Sequence, residues 1–279
     1  MEPEYARGYR RLYDHHWWWR AREDFVLRQL DRLAPSPAEM AVLDVGCGDG
    51  LLLPRLQHFG LVEGVESDGS LITDQGRGCG GIHRVEFGAD FEPGRRYDLV
   101  LMLDLLEHVD DPGAVLRRGR ELLRPGGRLV VTVPAYEGLW TSHDVVNRHR
   151  TRFDPDRVRG LATASGVEVV ELRHVFHWIA PAKLVVRRLE AWGLLEGGGA
   201  RIPALLLNDL LRRLCIAEQI LLGPLRLPFG SSLFAVLARA DDPAAVNAQP
   251  VTSPEGEAIP TARAGGVTIT SGTDPPSEG

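Results

Sequence analysis

The stretch AVLDVGCGDG, residues 41–50, constrains the fold more than any other part of the chain. An apolar run reads as a strand and ends in Asp44. Glycines then stand at 46, 48 and 50, where the backbone can take left-handed dihedrals and pass close under a ligand. An apolar helix, LLLPRLQHF, follows. A strand, a glycine turn and a helix in this order make half of a crossover unit, which needs parallel strands beside it.

The rest of the sequence supplies those strands. LVEGVE (61–66), HRVEF (83–87), YDLVLML (97–103), RLVVTV (128–133), VEVVELRHV (167–175) and SSLFAVLARA (231–240) all read as strands. YDLVLML is apolar almost throughout, as a strand covered on both faces should be. Asp111-Pro112 and Asp154-Pro155 each pair an N-cap residue with proline at the first helical position, so both open helices. Residues 3–33 read as helix, and Pro35-Ser36-Pro37 stops it. The prediction is an α/β, Rossmann-like sheet. Its parts are an N-terminal helical lid (1–40), an α/β core (41–175), an amphipathic helical insert (176–230), a last core strand (231–240) and a disordered tail (241–279). The tail has no aromatic residue and is rich in proline, glycine, serine, threonine and alanine, too little to offset ordering entropy.

Composition excludes several function classes. The net charge is −6, so bulk positive charge does not hold the chain on nucleic acid, and no nucleic-acid partner is expected. Cys47, Cys79 and Cys215 form no disulfide framework and no paired metal knuckle, which suits a reducing cytoplasm. The N-terminus is too polar for a signal peptide, and no uncharged apolar run reaches 18 residues. A cytoplasmic protein is expected, with peripheral membrane contact as a variant of that reading.

The second strand ends in Glu66, 22 residues after Asp44. A carboxylate there can accept hydrogen bonds from both hydroxyls of a ribose. The third glycine of a dinucleotide fingerprint would fall at 51, which is leucine, and two acids, Asp44 and Asp49, flank the turn. Such a turn suits a ligand with a cationic end rather than a pyrophosphate.

VLDVGCGDG, GVES, YDLVLMLDLLEHV and LLRPGGRLVVTVP, in this order, resemble the motifs of the class I S-adenosylmethionine-dependent methyltransferases. The resemblance implies seven strands with the last antiparallel, S-adenosylmethionine as cofactor, Gly46 and Gly48 under its methionine part and Glu66 on its ribose. It places Asp90-Phe91 near the adenine. The expected cofactor-binding set is Asp44, Gly46, Cys47, Gly48, Gly50, Glu66, Ser67, Asp90, Phe91, Leu103 and Asp104. His16-Trp17-Trp18-Trp19 with Arg22, the segment Pro134 to Asp144, and Arg226 to Gly230 further resemble a bacterial subgroup of that family whose acceptor is unsettled.

LDLLEHVDDP and AYEGLWTSHDVVNRHRTRF fall at the carboxyl edge of the sheet, where ligands bind in open α/β folds. Three readings of them stand open. Glu107 and His108 can fix the loop and pack under the cofactor. His108, His143, His149 or Tyr136 can serve in catalysis, an imidazole being a ready base near neutral pH. A divalent metal at Asp104, Glu107, His108 and His149 is the third reading, suggested by similarity to small-RNA and ubiquinone-pathway O-methyltransferases, and it is not the preferred one.

Three neighbouring tryptophans sweep roughly 200° of a helix surface, so one face does not bury them all. Either some roof the cofactor cleft or all glue the helix to the core. In the insert, Leu206, Leu207, Leu210, Leu211, Leu214, Ala217, Leu221 and Leu222 recur at helical spacing opposite Asn208, Asp209, Arg212, Arg213, Glu218 and Gln219. That helix is a cap over the acceptor site, a membrane or lipid-substrate platform through 176–228, or a homodimer interface. The expected function is methyl transfer to an oxygen of a small-molecule or lipid-linked biosynthetic acceptor. An N- or C-methyltransferase and a non-catalytic cofactor-binding interaction protein are the alternatives.

Overall fold

A computed structural model describes residues 3–34, 39–73, 76 and 81–241, with the backbone alone for 3–7. The expected disordered tail beyond Asp241 lies outside the described residues. Two helices, α1 (Pro3–His15) and α2 (Trp17–Leu33), precede β1 (Met40–Val45). Then come α3 (Leu53–Leu56), β2 (Gly60–Val65), β3 (Ile82–His83), β4 (Tyr97–Leu103), α4 (Pro112–Leu122) and β5 (Leu123–Pro134). The chain continues through α5 (Ser142–Val146), α6 (Pro155–Ala164), β6 (Val167–Val175), α7 (Ile179–Ala191), α8 (Leu205–Leu221) and β7 (Ser232–Arg239).

These strands form one seven-stranded sheet in the order β3-β2-β1-β4-β5-β7-β6. β7 runs antiparallel to both β5 and β6, and the other pairings are parallel. The order reverses between β1 and β4, and a crevice opens at such a switch point outside the carboxyl ends of the strands. Both faces are covered. Leu43, Val100, Met102, Leu129 and Val131 pack with Leu116, Val158 and Ala162 on one side. Val42, Leu99, Leu101, Val130 and Phe234 pack with Phe25, Val26 and Leu30 of α2 on the other. Alternate residues of β1 and β4 thus enter opposite layers, which explains their near-continuous apolar sequence.

Three elements differ from expectation. The single helix over 3–33 is two, broken at His16, whose backbone is extended (φ −80°, ψ 134°) and whose ring accepts a hydrogen bond from the Trp18 N–H. The strand expected over 83–87 is only Ile82–His83. β5 starts at Leu123 rather than Arg128, because the Pro125-Gly126-Gly127 segment stays in the strand path.

Phe25 is the pin between α2 and the sheet. Its ring meets Phe176 and Phe234 edge-on, each at 5.4 Å between centroids, and it is buried. Phe25→Ala is expected to lower stability by about 3–5 kcal/mol, because a cavity remains where the ring stood. Denaturant unfolding checks this, and a loss below about 1 kcal/mol would show that α2 is not held through this contact.

Candidate active site

The carboxyl ends of β1, β2, β4 and β5 open into a cavity of about 1710 Å³. The glycine turn forms one wall. Gly46 and Gly48 sit at φ +74° and +57°, the left-handed region that glycine takes without penalty. No atom lies within 4 Å of where a Cβ on Gly48 would stand, so the backbone there is bare toward the cavity it lines. A Cβ on Gly46 would come within 2.8 Å of the Leu105 side chain. The Gly46 and Cys47 N–H groups donate to the Val65 carbonyl, at 2.8 and 3.1 Å, which ties the turn to the end of β2. Glu66 stands just past that end. Its carboxylate accepts from the Gly48 N–H at 2.9 Å and the Asp68 N–H at 2.8 Å, so its orientation is fixed.

Arg22 of α2 reaches across the cavity to the other wall. Its Nε lies 2.6 Å from Asp104 Oδ2. Asp104 itself holds a left-handed backbone (φ 53°), which a non-glycine residue adopts at some cost and which often marks a functional site. Thr132 compensates: its carbonyl and hydroxyl accept from the Asp104 N–H, and its hydroxyl donates to Asp104 Oδ1 at 2.9 Å. Arg10 of α1 pairs with Asp49 in the same way on the turn side. Both N-terminal helices are therefore pinned to the cavity rim by arginine–carboxylate pairs.

The floor holds Glu107, His108 and His149. One ligand-capable atom of each lies within 4.8 Å of the others. Glu107 is fully buried, and among the described residues neither carboxylate oxygen meets a hydrogen-bond partner. Burial, and after it the neighbouring Asp104, pushes its carboxyl well above the usual range. Burial likewise lowers the His108 and His143 imidazoles, each to about 4, so both are neutral near pH 7. His149 Nδ1 lies 2.8 Å from Asp144 Oδ1. Burial alone would raise Asp144, but the hydrogen bonds from His149 and Arg152 and the Arg152 charge hold it far below its usual value. Arg152, buried, donates from Nε and Nη2 to the two Asp144 oxygens, at 2.9 Å each, and from Nη1 to the Ala135 carbonyl. Because an ionised carboxylate only accepts, His149 Nδ1 carries the proton and Nε2 is left basic.

The expected site residues divide. Asp44, Gly46, Cys47, Gly48, Glu66, Ser67, Leu103, Asp104, Glu107, His108, His143 and His149 all line the cavity. Gly50, Asp90, Phe91 and Tyr136 do not. Gly50 backs the turn, where a Cβ would meet Ile82 and Leu53. Phe91 turns into the core beside His83 and Phe87, and Glu86, Phe87, Gly88 and Ala89 line the cavity in its place. The Tyr136 hydroxyl bonds His174 Nε2 at 2.7 Å, away from the cavity. Asp104 stands outside the Glu107–His108–His149 cluster, engaged by Arg22 and Thr132 instead. Sequence reasoning missed the ties of Arg22, Arg152 and Lys183 to the site. Lys183 also lines the cavity, its ammonium lowered to about 8 by burial and then by Arg152.

This constellation is that of a nucleotide-type α/β domain with a carboxylate-rich crevice. A family model described as a methyltransferase domain matches residues 18–172. The chain belongs to this family, the class I S-adenosylmethionine-dependent methyltransferases. It is 32% identical over 127 residues to a ubiquinone biosynthesis O-methyltransferase of Cereibacter sphaeroides, covering 39% of this chain and 50% of that one. The chain spans about half the length of such relatives. It spans 77% of one with the same name from Bordetella avium, which covers 66% of this chain at 29% identity over 208 residues. The methyltransferase solved in complex with the Haloferax volcanii Trm112 activator superposes with a TM-score of 0.54 at 19% identity, over 85% of this chain and 94% of that one, a likeness of fold.

Asp44 offers a pH test of the crevice. Burial raises its carboxyl to about 7, with Arg22 opposing and Glu66 adding to the rise. A raised acid binds its proton more tightly folded than unfolded, so the stability it contributes falls as pH rises from its ordinary value toward 7. A cation bound against it favours the ionised form. The affinity for S-adenosylmethionine is therefore expected to be roughly tenfold higher at pH 8 than at pH 6, and Asp44→Asn should flatten that dependence. Calorimetry at the two pH values decides it, a flat wild-type profile counting against a cationic neighbour of Asp44.

Proposed function

We propose that the protein transfers the methyl group of S-adenosylmethionine to an oxygen of a small-molecule or lipid-linked biosynthetic acceptor. The single observation that carries the reading is the Arg152–Asp144–His149 chain, in which Asp144 holds His149 Nδ1 and leaves Nε2 to act from a residue that lines the cavity. The names of the O-methyltransferase relatives support an oxygen acceptor.

When bound, the cofactor supplies an electrophilic methyl on a positively charged sulfur, so the chemistry of activation is its own. The residues fit it. Glu66 is placed to accept from ribose hydroxyls, the bare backbone at Gly48 lets the ligand approach, and Asp44 faces its cationic end. Trp17, Trp18 and Trp19 line the cavity and exclude water from the transfer. With the cofactor and an acceptor hydroxyl side by side, His149 Nε2 would take the proton that the hydroxyl gives up on methylation. Asp144 holds the ring in the required tautomer and stabilises the imidazolium that forms. Trp178, Ile179, Leu194 and Leu195 give the acceptor an apolar wall, and Lys183 gives it a cationic contact.

A second reading is favoured by the orphaned Glu107 oxygens: a divalent cation held by Glu107, His108 and His149. One carboxylate and two imidazoles suit it, with Asp144 orienting His149 from behind. The cation would polarise the acceptor oxygen there.

Labelled-methyl transfer to fractionated cell extract, with mass spectrometry of the product, tests both readings. His149→Ala and Asp144→Asn are each expected to lower turnover by about 10²–10⁴, with cofactor affinity little changed. Equal turnover in His149→Ala would remove the base. Thorough chelation that leaves the rate unchanged removes the cation, whereas loss restored by Mg²⁺ or Mn²⁺ establishes it.

A further inference from the structure

Helix α8 turns the polar side chains Asn208, Arg212 and Glu218 inward, while Asp209 and Arg213 pair with each other on the exposed side. Asn208 donates to the His15 carbonyl and accepts from the Trp17 N–H, each at 2.9 Å. Arg212 pairs with Asp24 of α2 at 2.7 Å. Glu218 accepts from the N–H groups of His177 and Trp178, at 2.6 and 3.1 Å. These bonds fix the rotation of the helix, since turning it to bury leucine would strand a buried carboxylate and break an ion pair. The apolar side consequently faces outward: Leu205 is 84% exposed, Leu206 89%, Leu210 61% and Leu221 71%. α7 repeats the pattern with Leu184, Val185 and Trp192 exposed, and Arg188 exposed among them at helical spacing. Leu194 and Leu195, in the connection between the two helices, are exposed as well. Exposed apolar side chains gathered on adjoining helices in this way mark an interaction surface.

We propose that this face docks on an anionic lipid surface. The charge supports that occupant over a second copy of the chain. Residues 176–230 carry seven basic side chains (Lys183, Arg187, Arg188, Arg201, Arg212, Arg213, Arg226) and four acidic ones (Glu190, Glu196, Asp209, Glu218), a net of +3 within a chain of net −6. Among the described residues Arg188, Arg201 and Arg226 have no carboxylate partner, so their charge is available outward. Exposed leucines with unpaired arginines beside them are the pattern of a helix that lies in a membrane interface, apolar residues in the acyl boundary and guanidinium groups at the phosphates. No helix among the described residues is long and apolar enough to cross a membrane, so the contact is with the surface. Leu194, Leu195 and Arg201 also line the cavity. The docked face therefore adjoins the cavity through these residues.

The docking does not depend on the acceptor proposed above, because vesicle binding is measured without any acceptor. Flotation of the full chain with vesicles of phosphatidylglycerol and phosphatidylcholine is expected to carry the protein upward, and vesicles of phosphatidylcholine alone to carry much less. Leu206→Glu with Leu210→Glu should weaken the binding by about tenfold or more. Both positions are exposed, so S-adenosylmethionine affinity serves as the check that the variant is folded. Arg188→Glu with Arg201→Glu should weaken binding and flatten its salt dependence. Absence of flotation, or equal binding to neutral vesicles, overturns the proposal. So does a wild-type dimer by light scattering that becomes a monomer in the leucine variant without lipid binding, since the face is then a contact between copies.

Discussion

Asp44, Glu66, Asp104 and Glu107 are among the carboxylates that line one cavity, and the organisation of the site follows from that crowding. Like charges taken out of water together are costly, and the structure relieves the cost in three ways. Backbone N–H groups of Gly48 and Asp68 hold Glu66, Arg22 holds Asp104, and Asp44 and Glu107 are shifted toward the protonated form. The second of these recruits an N-terminal helix, so the covering of the cavity is coupled to its electrostatics. A ligand with a positive centre completes the compensation, which is the physical sense in which this crevice fits a sulfonium.

The floor shows how one buried ion pair can set a tautomer. Arg152 and Asp144 are joined by two hydrogen bonds in the interior, the geometry in which such a pair offsets its own desolvation. Arg152 also takes the Ala135 carbonyl, and Asp144 accepts from the Thr141 N–H at 2.8 Å. The loop after β5 is thereby wrapped around the carboxylate, and His149 inherits a fixed ring. A general base and a metal ligand make the same demand on that ring, a proton on Nδ1 and a free Nε2, so the two readings of the floor share their supporting structure. What separates them is Glu107. A base has no need of a second carboxyl without partners, whereas a cation would use one.

The parts of the site legible in the sequence are those made locally. The glycine turn and Glu66 lie at strand ends, where β1 and β2 pair in register and the strand length sets where each acid falls. The loop after β4 brought Asp104, Glu107 and His108 to the cavity for the same reason. Asp90 and Phe91 do not line the cavity and residues 86–89 do, because β3 is only two residues long and the chain leaves the sheet before Phe91. Tyr136 lies one residue beyond Ala135 and takes a left-handed backbone (φ 55°), which aims its ring at His174 rather than at the cavity. Arg152 gave no local signal: its partner, Asp144, is eight residues upstream in the short helix α5. The leucine repeat of α8 shows the limit of periodicity, which locates an apolar stripe and leaves open which side of the helix meets the protein.

The run of three tryptophans resolves through the break at His16. Ending α1 there lets α2 begin at Trp17, at its first turn, where adjacent side chains reach different neighbours. Trp19 is buried against Tyr9 and the His16 ring, at 5.8 and 4.9 Å between centroids, so it joins the two helices. Trp18 meets Phe176 at 4.7 Å and Trp17 meets Trp178 at 5.6 Å, so these two join α2 to the start of the insert. All three still line the cavity. Gluing and roofing are therefore the same contact seen from two sides: a flat ring packed on one face against another aromatic presents its remaining surface to whatever fills the space below. The Trp17–Trp178 pair also sits where Glu218 of α8 caps the Trp178 N–H. A shift of the outward leucine face would be felt first at these rings, which ties the surface of the insert to the interior of the site.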